Sequence, residues 1–156
     1  MSIITPGVQD PKAYQRQAQA EVKVTSAQVL ALNATPITLV AAPGADYAAI
    51  FEGAIIYKPA GTAYAGIAGG EDLSVKYTDG SGLAVGQAEA TGFLDQTGAE
   101  TRWVRAFTAA SADSSIEPVA NAVLVLHLLS GEITTGNSDL HVRVYYRVIP
   151  TALVAG

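Results

Sequence analysis

DLSVKYTDGSGLAV, residues 72–85, carries the fold in miniature. Leu73, Val75 and Tyr77 fall on one side of an extended chain, with Ser74 and Lys76 on the other. That alternation is the mark of a strand with one face in a core. Asp79-Gly80-Ser81-Gly82 then turns the chain, with glycine expected to supply the positive φ of a tight hairpin. Leu83 to Leu94 is the expected partner strand.

The same pattern recurs on both sides of this hairpin. Upstream, Glu21–Thr25 alternates, Pro36–Val40 is a short strand with its proline at the start, and Tyr47–Tyr57 is the longest strand candidate. Gly53 in the middle of that last stretch marks a bulge or bend. Downstream, Arg102–Thr108 alternates, Ala122–Leu129 reads as a strand buried on both faces, and His141–Ile149 sets Val142, Val144 and Tyr146 against Arg143, Tyr145 and Arg147. Between these lie turn-rich connectors and a Gly/Ala-rich loop at Lys58–Gly70. Ser26–Leu32 is ambiguous, with Ser26 placed to cap one helical turn. About eight short strands with almost no helix predict an all-β, antiparallel sandwich, and eight is the number a jelly roll requires. Alternation alone does not give the order in which strands pair.

Residues 1–20 differ from the rest. Pro6-Gly7 and Asp10-Pro11 punctuate a polar segment without an apolar stripe, which reads as an N-terminal arm, extended or briefly helical, ahead of a domain over 21–156. The segment lacks the basic start and apolar run of a signal peptide. Val119–Leu129, the longest apolar stretch, is too short for a membrane span and is interrupted by Asn121 and His127. Synthesis in the cytoplasm is the expectation, with no membrane partner.

Composition narrows the function classes. Hydrophobic residues make up 49% of the 156-residue chain and charged residues 15%, against a usual charged share of about a quarter. So little charge suits a protein whose outside is partly covered by other subunits. The net charge is −5 and the nine basic residues are scattered, which argues against direct nucleic-acid binding. Without cysteine there is neither a disulfide nor a thiolate metal site.

A catalytic set does not assemble from the sequence. Of the two histidines, His127 lies among leucines as a hydrogen-bonded core residue would, and His141 starts an exposed strand face. Glu71 and Asp72 would point to opposite sides of a strand. Gly136-Asn137-Ser138-Asp139 lacks the full calcium-loop pattern and reads as a polar turn. The expectation is a non-enzyme with no cofactor and no metal. Arg, Trp and Tyr are the residue types enriched at interface hot spots. Tyr14 and Arg16 on the arm, and Arg102, Trp103, Arg143, Tyr145 and Arg147 on strands, are therefore the candidate interface residues. Arg102 faces away from Trp103, whereas Arg143, Tyr145 and Arg147 share a side. Aromatic faces also bind sugars, so a carbohydrate- or receptor-binding module is the alternative.

Three stretches taken together, VKVTSAQVLALNATPITLVAAPGADYAAIFEGAII (22–56), YAGIAGGEDLSVKYTDGSG (64–82) and GEITTGNSDLHVRVYYRVI (131–149), resemble small virion structural proteins of tailed bacteriophages, most of all the capsid (head) decoration, or cement, proteins. The likeness covers nearly all of 21–149 as style and word order. It implies a jelly-roll-like module that forms homotrimers on the capsid exterior, binds the major capsid protein at local threefold positions and stiffens the shell. It also implies that the N-terminal arm reaches across neighbouring capsid subunits. A head-fibre, tail or baseplate module is the related alternative.

Overall fold

The computed structural model describes residues 16–106 and 115–152. Eight strands follow in order: β1 (Ala18–Val24), β2 (Ile37–Val40), β3 (Tyr47–Lys58), β4 (Asp72–Tyr77), β5 (Ala84–Glu89), β6 (Glu100–Arg105), β7 (Leu124–Leu128) and β8 (Leu140–Pro150), with a short helix, α1 (Ser26–Leu30), after β1. They form two antiparallel sheets, ordered β1-β8-β3-β6 and β2-β7-β4-β5. β1 pairs with β8, β2 with β7, β3 with β6 and β4 with β5. The chain is thus one long nested hairpin, and rolling it up adds the β3–β8 and β4–β7 pairings. This is the strand order of a jelly roll, the sandwich expected from the sequence.

Alternation decides what each sheet buries. The first sheet turns Phe51, Ala54, Ile56, Val104, Leu140, Val142 and Val144 inward, and the second answers with Leu39, Leu73, Val75, Leu124, Leu126 and Leu128. Two contacts bind the layers closely. Tyr77 of β4 crosses the core to donate its hydroxyl to the Ala49 carbonyl of β3 at 2.5 Å. Burial pushes that phenol up to about 12. Phe51 lies over Gly86, where an added Cβ would meet its ring at 2.6 Å, so glycine there lets the sheets approach.

Several boundaries differ from those expected. β1 begins at Ala18, inside the segment read as an arm, because Ala18 and Ala20 continue the alternation with side chains too small to signal it. Residues 1–15, with Tyr14, lie outside the described residues. The strand expected over Leu83–Leu94 stops at Glu89. Gly92 takes a positive φ of 77°, and the turn folds Phe93 and Leu94 back into the core. Thr25, not Ser26, caps α1. Its side chain accepts from the Gln28 amide at 3.3 Å while Gln28 accepts from the Thr25 amide at 2.9 Å, a capping box. Ser26 instead donates its amide to Asp139.

The β4–β5 turn also works differently. Positive φ falls on Thr78, at 67°, not on either glycine. Gly82 is needed because a Cβ would sit 1.6 Å from the Tyr77 carbonyl oxygen, and Gly80 because one would sit 2.7 Å from the His127 ring. Laid over β7 in this way, the turn covers His127, while Leu124, Leu126 and Leu128 face the core, and all five β7 residues are buried. Glu52, one residue before Gly53, is the extra residue where the β3–β8 register slips.

Leu126 lies at the centre of the second sheet's inner face and is fully buried. Leu126→Ala is expected to destabilise the domain by roughly 2–5 kcal/mol, through lost burial and the cavity left behind. Denaturant unfolding monitored by circular dichroism checks this, and a cost well below 1 kcal/mol contradicts the placement.

Candidate functional site

The outer face of the first sheet gathers most of the candidate residues. On β8 the residues opposite the core-facing valines are His141, Arg143, Tyr145 and Arg147, and registration with the neighbouring strands sets what stands beside each. One row reads Lys23, His141, Tyr57 and Thr101. The next reads Glu21, Arg143, Ile55 and Trp103, and the third Gln19, Tyr145, Gly53 and Arg105.

Trp103 leans out of its own row. Its ring covers Gly53, where an added Cβ would lie 2.9 Å from Cζ2, and meets Tyr145 with centroids 5.7 Å apart at 51°. Such tilted pairs are worth about 0.5–1.5 kcal/mol beyond their burial. Gly53 is thus the floor that lets two aromatic side chains from strands on either side of β3 meet above it. Even so, Trp103 stays 56% exposed, the largest apolar surface on this face.

Three cations of the face, Lys23, Arg143 and Arg147, are paired. Arg143 brings both Nε and Nη2 to Glu21 Oε1 at 2.6 Å, and this bond to Glu21 raises the guanidinium pKa, with Tyr145 a lesser cause. Arg147 pairs with Glu52, which also accepts from the Gln17 amide at 2.8 Å. Lys23 meets Asp139 at 2.9 Å. With the Ser26 amide as a second donor, it holds that carboxyl below the usual range.

Arg102 lies apart, on the inner side of β6, as the alternation indicated. Its guanidinium bonds Glu100 at 2.9 Å, donates to the Gly92 carbonyl and rests over the Phe93 ring at 5.1 Å. It closes the turn that plugs the core and is not part of the outer face. Arg16 is exposed just before β1. The structure therefore brings together Trp103, Arg143, Tyr145 and Arg147, and separates Arg102 from them.

Sequence reasoning missed the row beside them. Tyr57 and His141, paired across β3 and β8, place their rings 6.1 Å apart at 41°. With Glu21, Lys23, Ile55 and Arg143 they line an open depression of about 440 Å³. The missed signal is that Tyr57 stands next to Ile56 in the chain and so points outward when Ile56 points in.

Elsewhere the buried polar groups serve the fold. Lys58, fully buried at the end of β3, donates to the carbonyls of Pro59, Gln96 and Gly98 at 3.3, 2.7 and 3.0 Å. Glu71, also buried, accepts from the amides of Ala68 and Ser130. His127, 6% exposed, is the hydrogen-bonded core histidine expected, with Nε2 3.1 Å from the Asn33 carbonyl. Asn137 accepts from the Thr62 amide at 2.7 Å and Asp139 from Ser26 at 2.8 Å, so this turn clasps two other segments. Among the described residues no three His, Asp or Glu side chains converge on a cation position, and no helix is long and apolar enough to cross a membrane.

Two measurements check this account. Gly53→Ala forces the Trp103 ring to move, so its fluorescence is expected to shift towards that of solvated tryptophan, with a modest loss of stability. Unchanged emission contradicts the stacking. For His127, burial and then Lys76 hold the imidazole below its usual range, while Nδ1 is buried without a partner among the described residues. The unfolded chain therefore takes up the proton first as pH falls. The stability is fully present above about pH 6.5 and is lost below it. Between about pH 7 and pH 5 the urea midpoint is expected to fall more steeply in the wild type than in His127→Gln.

No family model, no curated protein and no solved structure matches this chain.

Proposed function

We propose that this chain is a non-catalytic structural protein of a phage virion. It assembles as a homotrimer and binds the outer surface of the capsid, where it stabilises the shell. The observation that carries this reading is the Trp103–Tyr145 pair, built over Gly53 and left open to solvent on a sheet face flanked by Arg143 and Arg147. An aromatic pair held rigid before contact loses little entropy on binding, and Trp, Tyr and Arg are the residues that dominate interface energies. The resemblance over 21–149 and the low charge of the chain support the same reading.

The physics of the task fits a jelly roll. Its two sheets leave β1, β6, β2 and β5 at their edges, and packing against copies covers edges that otherwise invite aggregation. A trimer on a threefold position engages three copies of the major capsid protein at once. Contacts that are weak singly then combine into firm attachment through effective concentration. The resemblance gives the N-terminal segment, residues 1–20, a role in reaching neighbouring capsid subunits, and a truncation that tests it removes residues 1–15 and stops before Ala18, because Ala18–Ala20 pair with β8.

Light scattering on the purified protein is expected to give a trimer mass, and Trp103→Ala to shift it towards monomer while the circular dichroism spectrum is kept. The wild-type protein is expected to rebind shells from which it has been stripped, and the chain without residues 1–15 to rebind them more weakly. A monomer with no affinity for shells overturns the proposal.

A further inference from the structure

The depression beside the aromatic pair has a chemistry of its own. Six outward side chains form a grid of two rows on three strands: Glu21 and Lys23 on β1, Arg143 and His141 on β8, Ile55 and Tyr57 on β3. Ile55 gives an apolar floor. Tyr57, 40% exposed, and His141 give a wall of two tilted rings. Its volume of about 440 Å³ falls in the range of small-molecule sites, roughly 300–1,000 Å³.

Its polar groups are arranged for donors and acceptors, not for net charge. Both cations are already answered, Arg143 by Glu21 and Lys23 by Asp139. A phosphate or sulfate entering here meets two carboxylates along with the two cations, so the site gives an anion no net attraction. Arg143 brings both of its donors to the same oxygen, Oε1, and Glu21 Oε2 accepts nothing among the described residues. The Tyr57 hydroxyl and the His141 ring nitrogens likewise make no hydrogen bond there. Exposed ion pairs of this kind add little to stability. Acceptors, donors and an exposed ring face in one depression suit a ligand with hydroxyls around its rim and an apolar C–H face.

We propose that this depression binds a neutral saccharide, one sugar ring stacking on Tyr57 and its hydroxyls bonding Glu21 Oε2 and the His141 ring. This goes beyond the assembly proposed above and does not rest on it, because the six residues belong to one chain. A module carrying such a site on a capsid exterior would give the particle weak, many-copy adhesion to glycan surfaces.

The test uses the full chain, labelled with nitrogen-15, titrated with the methyl glycosides of glucose, galactose, mannose and N-acetylglucosamine and with lactose and maltose, at millimolar concentrations. A sulfated heparin oligosaccharide is run beside them. At least one neutral sugar is expected to saturate the protein and to shift the amides of Ile55, Tyr57, His141 and Arg143. Glu21→Gln, which preserves shape, and Tyr57→Leu, which preserves an apolar β residue, are each expected to weaken binding about tenfold or more. Glu89→Gln, exposed at the end of β5 on the other sheet, leaves it unchanged. Three outcomes overturn the proposal: no neutral sugar shifts these amides, the shifts map elsewhere, or only the sulfated oligosaccharide binds. Each is read on the isolated chain, so it stands apart from whether the protein forms a trimer or binds shells.

Discussion

One strand, β8, holds the two halves of this molecule's chemistry in register. It pairs with β1 on one side and β3 on the other. Its inward residues, Leu140, Val142 and Val144, are fully or almost fully buried, and the residues between them form the outer face. A slip of one position in either pairing sends the valines to solvent and Arg143 and Arg147 into the core. The desolvation cost of that exchange far exceeds any gain on the surface. The register that builds the core therefore also fixes which side chains stand together outside, with no separate interaction needed to place them.

That coupling explains what could be read from the sequence. Every strand signalled itself, because each has one face against the other sheet and so alternates, or, like β7, lies under cover on both sides. The nested pairing was not visible. Val22 meets Val142, a partner set by closing a loop of more than a hundred residues, and nothing near either residue encodes it. The outer face was legible to the same degree. Arg143, Tyr145 and Arg147 share a strand and could be grouped by counting in twos. The Tyr57–His141 row and the reach of Trp103 to Tyr145 depend on which strands are neighbours, so they could not. Lys58 was hidden for another reason: its ammonium ion is held by three backbone carbonyls, and carbonyls carry no sequence identity.

Glycine shows the limit of position-by-position reasoning. The β4–β5 turn was expected to need glycine for its backbone angles, yet the left-handed residue is Thr78 and the glycines at 80 and 82 are there to make room. Gly53 works the same way. The sequence marks it for a bulge or bend, and the extra residue is its neighbour Glu52. The bulge swings Glu52 to where it meets Gln17 and Arg147, while Gly53 itself clears the space that Trp103 fills. In each case the sequence marked a special position correctly, and only the packed neighbour revealed what it was special for.

The outer face then divides along its length by physical character. At the Gly53 end a stiff aromatic pair stands proud, with flanking arginines, a shape suited to pressing against a flat protein surface. At the Tyr57 end the same sheet is concave, its charges mutually satisfied and its free polar atoms spread around an apolar floor, which suits a small polar ring. The two ends are joined by Arg143, whose guanidinium bonds Glu21 in one row and interacts with Tyr145 in the next. Because that arginine sits on the strand whose inward valines anchor the core, neither end can shift without disturbing the sandwich beneath. The two proposed contacts, with a protein surface at the aromatic end and with a sugar in the depression, therefore draw on a single sheet face whose register the core sets.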